Sequence, residues 1–159
     1  MSSDSRRLVD GLELRLAGPQ DAALFDHMDD EIFDHPVAYA HLQAYLAAPG
    51  HLMAIARVVA DGMTPGRGPA GLLVGQARAM VHHHPDGAPQ LYVDNLGVAP
   101  HWRRRGVASR LLAILAAAGR ARGCQEWWVA TEPDNRAACA LYLSLGLRQT
   151  RAAVFDGPL

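Results

Sequence analysis

The chain has 159 residues, half of them hydrophobic and 19% charged, which suits a single globular core and excludes the disordered class. Its formal net charge is -1 and no apolar run reaches membrane-spanning length, which speaks against a dedicated nucleic-acid binder and against a membrane protein. All 15 basic residues are arginine, and the two cysteines, Cys124 and Cys139, stand outside any C-x-x-C spacing, as reduced thiols do.

The charges are unevenly placed. Residues 1–34 hold nine acids against three arginines, and residues 101–159 hold nine arginines against four acids. One end suits a cationic ligand and the other an anionic one. The opening "MSSDSRRLVDG" is polar and lacks the apolar segment of a signal peptide. Residues 1–11 therefore read as a flexible leader, residues 12–159 as one domain, and the cytoplasm as the expected compartment.

"LELRLAG" alternates apolar and polar residues, predicting a first strand over Leu12–Leu16 that Gly18 and Pro19 stop. "PQDAALFDHMDDEIF" opens with proline and spaces Leu24, Met28 and Ile32 four apart, the pattern of an amphipathic helix over residues 19–33. Pro36 ends it, and residues 37–48 predict a second helix stopped by Pro49 and Gly50. Two strands follow over residues 51–60 and 71–81, joined by the Gly/Pro-rich loop "DGMTPGRGP". A second loop, "HHHPDGAPQ", leads into the strand "LYVDNLGV". Residues 104–122 carry the best helix propensity in the chain, closed by Gly123. "EWWVAT" then reads as a buried strand, residues 135–145 as a last helix capped by Gly146, and "LRQTRAAVFD" as one or two final strands.

The stretch "VDNLGVAPHWRRRGVASRLL", residues 93–112, joins a strand to a helix through three arginines and a glycine. Backbone amides at the start of that helix, at Arg105, Gly106, Val107, Ala108 and Ser109, lack intrahelical acceptors. The helix dipole adds roughly half a positive charge there. Gly106 and Ala108 let a phosphate approach closely, and Arg103, Arg104 and Arg105 supply cations that pair well with it. The turn therefore reads as a pyrophosphate cradle. It is neither a P-loop, which requires GK[ST] after its glycines, nor a dinucleotide fingerprint, which requires three glycines.

Arg103-x-x-Gly106-x-Ala108 resembles the Arg/Gln-x-x-Gly-x-Gly/Ala signature of the GNAT superfamily of acyl-CoA N-acyltransferases. "NRAACALY" is similar to its N-x-x-A-x-x-x-Y element and "LYLSLGLR" to its Y-x-x-x-G-F. The resemblance implies an α/β (α+β) fold with a central mixed, mostly antiparallel sheet, splayed at the cofactor site and flanked by about four helices. It implies acetyl-CoA as cofactor. The backbone of Leu96, Gly97 and Val98 would bond the pantetheine arm, with the Val98 amide near the thioester oxygen. Asn135, Ala138 and Tyr142, sharing one helix face, would meet the cofactor, and Tyr142 would protonate the departing sulfur.

The strand "LYVDNLGV", the helix "ALYLSLGLR" and the ending "AVFDGPL" resemble, within the superfamily, the aminoglycoside 3-N-acetyltransferases, which implies a small polycationic amine as acceptor and allows a homodimer. The aspartate of their strand is replaced here by Asn95, with Asp94 beside it. Asp30, Glu31, Asp34 and Asn95 are then the expected acceptor contacts. An amine of pKa about 9 is only roughly 1% neutral at pH 7, so a base is needed, and Asp94 and then Glu132 are its candidates. The alternatives are a protein N-terminus or metabolite amine as acceptor, or a non-catalytic acyl-CoA-binding module. No nucleic acid or membrane is expected as partner, and no metal, because the consecutive His82, His83 and His84 alternate faces on a strand. Trp127 and Trp128 read as core on one side and a cleft wall or dimer contact on the other.

Overall fold

The computed structural model describes residues 7–9, for which it gives backbone alone, 11–59 and 68–159. The expected domain divides into two compact units, Met1–Val129 and Ala130–Leu159. The first holds a six-stranded sheet in sequential order: β1 (Arg7–Val9), β2 (Leu12–Leu16), β3 (His51–Val58), β4 (Leu73–His84), β5 (Gly87–Val98) and β6 (Glu126–Val129). Neighbours are antiparallel except β5 and β6, which run parallel, giving the mixed, mostly antiparallel sheet expected. Residues 7–9, placed by sequence in a flexible leader, pair with β2 through Val9↔Leu12. Residues 1–6 and 10, and 60–67 of the first Gly/Pro loop, lie outside the described residues.

Helix α1 (Tyr39–Ala47) packs on β3, and helix α2 (Val107–Ala121) packs on β2 to β5. Leu111, Leu112 and Leu115 of α2 are fully buried, as its propensity and apolar spacing require. Alternation along β4 points Gly75 and Ala77 toward α2 and Gln76 and Arg78 to the opposite face. Tyr45 of α1 donates its hydroxyl proton to the Leu52 carbonyl at 2.8 Å, and burial pushes that phenol up to about 12.

Several elements differ from the sequence reading. The helix expected over residues 19–33 is a 3-10 helix over Pro19–Asp26 only. Beyond it the backbone bonds the sheet instead of itself: the Leu73 amide donates to the His27 carbonyl at 2.8 Å, and the Asp29 amide to the Leu73 carbonyl at 2.9 Å. The "HHHPDGAPQ" loop shrinks to Pro85 and Asp86, because β4 runs on to His84 and β5 starts at Gly87. His82 and His84 consequently share a face, their rings 4.4 Å apart. β6 is an edge strand, not a buried one: Trp128 is 44% exposed and stacks on Tyr92 with ring centroids 4.1 Å apart. In the second unit α3 (Arg136–Ser144) forms as expected, but residues 147–159 form no strand and are largely exposed.

Both faces of β2 are covered, so its polar positions are buried along with Leu12 and Leu14. Glu13 answers this by facing Arg57 across the ladder, accepting its Nη2 proton at 2.7 Å. Arg15 clasps Asp21 of the 3-10 helix through two bonds of 2.7 Å, and the Gly18 amide donates to the same carboxylate. The Arg15 hydrogen bond, more than the cost of burial, sets the balance and holds the Asp21 carboxyl below its ordinary value. Its stabilisation is thus complete above the unfolded value and is lost as pH falls through the folded one. Asp21→Ala should cost about 3 kcal/mol in urea unfolding near neutral pH, since it strips two charge-assisted hydrogen bonds from the buried Arg15 and leaves it only the more distant Glu13 carboxylate, 3.7 Å away, as acidic neighbour. The parent protein should lose stability below about pH 4, and the variant should lose less there; equal acid sensitivity would show that this pair is not what titrates.

Candidate functional site

The site begins with a mismatch in the sheet. β5 pairs with β6 only from Gln90 to Val93, so its edge from Asp94 to Val98 has no strand partner among the described residues. Against β4 the register jumps from Ala79↔Val93 to Arg78↔Asn95, leaving Asp94 as the extra residue of a β-bulge. The Ala99 amide donates to the Val74 carbonyl at 2.8 Å. Alternation therefore turns the Gly97 amide toward β4 and the Leu96 and Val98 amides toward the open edge. Of the three backbone contacts expected from sequence, Leu96 and Val98 can face a ligand and Gly97 cannot. The Val98 carbonyl, on the same edge, accepts from Arg103 Nε at 2.8 Å.

The turn after β5 is the second part. Residues 100–102 form one 3-10 turn, Arg104 adopts φ 61° and Gly106 φ 74°, and the first intrahelical bond of α2 runs from the Arg110 amide to the Gly106 carbonyl. The amides of Val107, Ala108 and Ser109 precede that bond, as the sequence reading expects. Two left-handed residues with one residue between them fold the backbone into a concave turn of the kind that gathers amides around an anion. The three arginines are unequal. Arg103 braces Val98 and lies 3.6 Å from Glu31, Arg105 sits 5.3 Å over the Trp102 ring, and Arg104 is exposed.

The third part is the loop that follows the 3-10 helix. Its Ile32 is 1% exposed and lies across β5 at Gly97, where an added Cβ would land on the Ile32 carbonyl. Asn95 donates from Nδ2 to Asp34 Oδ2 at 2.8 Å and accepts at Oδ1 from Gln76 Nε2 at 2.7 Å. Two expected acceptor contacts, Asp34 and Asn95, are thus brought together from 61 positions apart in the sequence. Glu31 is drawn to Arg103, and Asp30 is exposed. Asp94 Oδ2 lies 3.5 Å from Arg78 Nη2, and Arg78 in turn lies 5.8 Å from the Phe33 ring. Gln76 and Arg78 were not among the residues expected; the signal for Gln76 was a lone amide in the apolar run "LLVGQARAMV".

In the second unit Asn135 caps α3, its Oδ1 accepting from the Ala138 amide at 3.1 Å. Its carboxamide is therefore spent partly on the helix. Burial, with a smaller push from Cys139, raises the Tyr142 phenol above its ordinary value, so it stays protonated at neutral pH. Glu132 is exposed, and its backbone carbonyl accepts from the Asn135 amide at 3.0 Å.

The family described as "Acetyltransferase (GNAT) family" matches residues 20–147. An aminoglycoside N(6')-acetyltransferase type 1 of Salmonella typhimurium is 30% identical over 89 residues, 54% of this chain and 61% of that protein. The match thus spans less than two thirds of that relative's length. Among solved structures, aminoglycoside N-acetyltransferase AAC(6')-Iy in complex with CoA is 24% identical with a TM-score of 0.74, over 95% of this chain and 99% of that one. An aminoglycoside acetyltransferase from an uncultured soil metagenomic sample, in complex with trehalose, is 19% identical with a TM-score of 0.74, over 96% and 99%. These likenesses establish the fold. They also correct the resemblance to 3-N-acetyltransferases, because the relatives are 6'-type enzymes.

Gly97→Ala tests the geometry directly. The added methyl must displace the Ile32 backbone, so the variant should lose about 1–3 kcal/mol in thermal or urea unfolding and expose the 27–35 loop to protease. Unchanged stability and cleavage would mean that Ile32 does not lie on Gly97.

Proposed function

Because the chain belongs to the acetyltransferase (GNAT) family, we propose that it is an acetyl-CoA-dependent N-acetyltransferase of a primary amine on a small polycationic acceptor, of the aminoglycoside class and 6' type. The observation that carries this reading is the open edge of β5 leading straight into the concave 104–106 turn. A ligand with an amide-rich arm and a pyrophosphate needs those two features in that order. The residues fit such a ligand: outward amides at Leu96 and Val98, free amides at Val107, Ala108 and Ser109, and no side chain at Gly106.

Acetyl-CoA supplies an activated acetyl thioester. The Val98 amide, turned to the open edge of β5, would donate to the thioester carbonyl oxygen as charge develops on it. Asp94, the bulged residue, is the preferred acceptor of the amine proton, with Glu132 second. Tyr142, in the second unit, is the residue proposed to donate a proton to the departing sulfur, and burial keeps its phenol protonated until it does. Asp30 and Asp34 supply negative charge for a cationic acceptor, while Glu31 is neutralised by Arg103. The free thiols Cys124 and Cys139 and the availability of acetyl-CoA favour the cytoplasm. Exposed Val154 and Phe155 favour a homodimer, which sedimentation at two concentrations would test.

The test of the reading is thiol release from acetyl-CoA with kanamycin, spermidine and a short peptide as acceptors. Turnover should be highest with kanamycin, and its KM should rise with added salt, because exposed carboxylates are screened. Turnover of the peptide alone would overturn the acceptor and leave acetyl transfer standing. A paired prediction separates binding from chemistry. Gly106→Val forces a β-branched residue to φ 74° and should weaken acetyl-CoA binding in calorimetry. Tyr142→Phe should leave that affinity intact and lower kcat by about 10²-fold or more. If both variants bind and turn over like the parent, neither residue has the assigned role.

A further inference from the structure

Gln76 is 0% exposed and interrupts an apolar strand. Burying an amide is unfavourable unless its bonds are made, so the position would accept leucine more readily if packing alone mattered. Both Nε2 protons are used: one on the Ile32 carbonyl at 2.8 Å, the other on Asn95 Oδ1 at 2.7 Å. Oε1 has no partner among the described residues. The two bonds converge on the 27–35 loop, the first directly and the second through Asn95.

Donor logic then sets the direction of the relay. Gln76 can only donate from Nε2, so the Asn95 carboxamide must turn its oxygen toward it. Its NH2 group is thereby aimed away, and donates to Asp34 Oδ2 at 2.8 Å. Without Gln76, Asn95 could flip and present its oxygen to the Asp34 carboxylate, which would repel it. As it stands, Asp34 is held through one oxygen, and no described residue takes the other.

From this we propose that Gln76 is a positioning residue for the acceptor: acting through Asn95, it fixes the Asp34 carboxylate and the loop that carries it where a cationic amine binds. The inference rests on the acceptor reading given above. Asp34 supplies the charge, Asn95 the link, and Gln76 the orientation.

Two measurements test it. By NMR, Asp34→Asn should shift the Asn95 side-chain amide resonances in the parent protein and leave them unmoved in a Gln76→Leu background. In steady-state kinetics with kanamycin, Gln76→Leu should raise KM about tenfold, with kcat changed by less than about threefold and acetyl-CoA affinity kept. In an Asp34→Asn background the same substitution should change KM by less than about twofold, because the two act as one unit. A full KM rise in that background, or a fall in kcat that follows lost thermal stability, would make Gln76 a packing residue and overturn the inference. Should Gln76→Leu fail to fold, Asn95→Ala cuts the same link at a half-exposed position and must give the same KM rise and the same coupling to Asp34. If the parent acetylates no polycationic amine, the acceptor reading falls. If the Asn95 resonances ignore Asp34→Asn, the relay itself does not exist.

Discussion

One extra residue in β5 governs the candidate site. The bulge at Asp94 shifts the phase of the strand, so Val93 faces α2 while Asn95, two positions on, faces the opposite side of the sheet. Without it, Asn95 and Gly97 would point under α2, where Leu111 and Leu115 leave no room for a carboxamide. With it, Asn95 meets Asp34, Gly97 makes room for Ile32, and Val98 returns to the core at 9% exposed. The ladder to β6 stops one residue before the bulge, at Val93↔Val129. An open strand edge is ordinarily a hazard for edge-to-edge pairing, and here it leaves the Leu96 and Val98 amides without a strand partner among the described residues, the feature on which the proposed cofactor site rests.

The 27–35 loop depends on that bulge in turn. Two backbone bonds to Leu73 fix where it leaves the 3-10 helix, and Ile32 anchors its middle. Between those points the loop carries Asp30 and Glu31, and beyond them Asp34. Clustered carboxylates repel one another, and the loop offsets this by giving Glu31 to Arg103 and Asp34 to Asn95. The exposed Glu31 pair contributes little to stability. Its consequence is electrostatic: Glu31 lies beside a cation, whereas Asp30 and Asp34 face none among the described residues, which is why those two are proposed for a cationic acceptor.

Local features were legible in the sequence, and features built by distant partners were not. β2 has the bounds its alternation predicts, and the turn from Arg103 to Ala108 was readable because glycine, arginine and helix propensity act within a few residues. The 19–33 helix failed because residues 27–29 bond Leu73, more than forty positions away, which no periodicity encodes. The apolar spacing of Ile32 was real, yet it records one buried anchor and not a helical face. For the candidate site, distant contacts give several of the named residues local tasks that their spacing did not announce. Gly97 gives space where an amide contact was expected, Asn135 caps a helix, and Gln76 was overlooked because a single polar residue in a strand has no spacing to betray it.

The three adjacent arginines show why composition alone overstates a charge cluster. Arg103 is a strut, with Nε on the Val98 carbonyl and Nη2 near Glu31, so only part of its guanidinium can answer an anion. Arg105 lies over the Trp102 ring, where cation–π attraction already orients it. Arg104 forms no ion pair among the described residues and holds φ 61°, a conformation that costs a non-glycine residue about 1 kcal/mol. Glycine would remove that cost and would also remove the cation. The left-handed backbone therefore shapes the turn at a cost that arginine bears and glycine would not, and arginine keeps an exposed cation there.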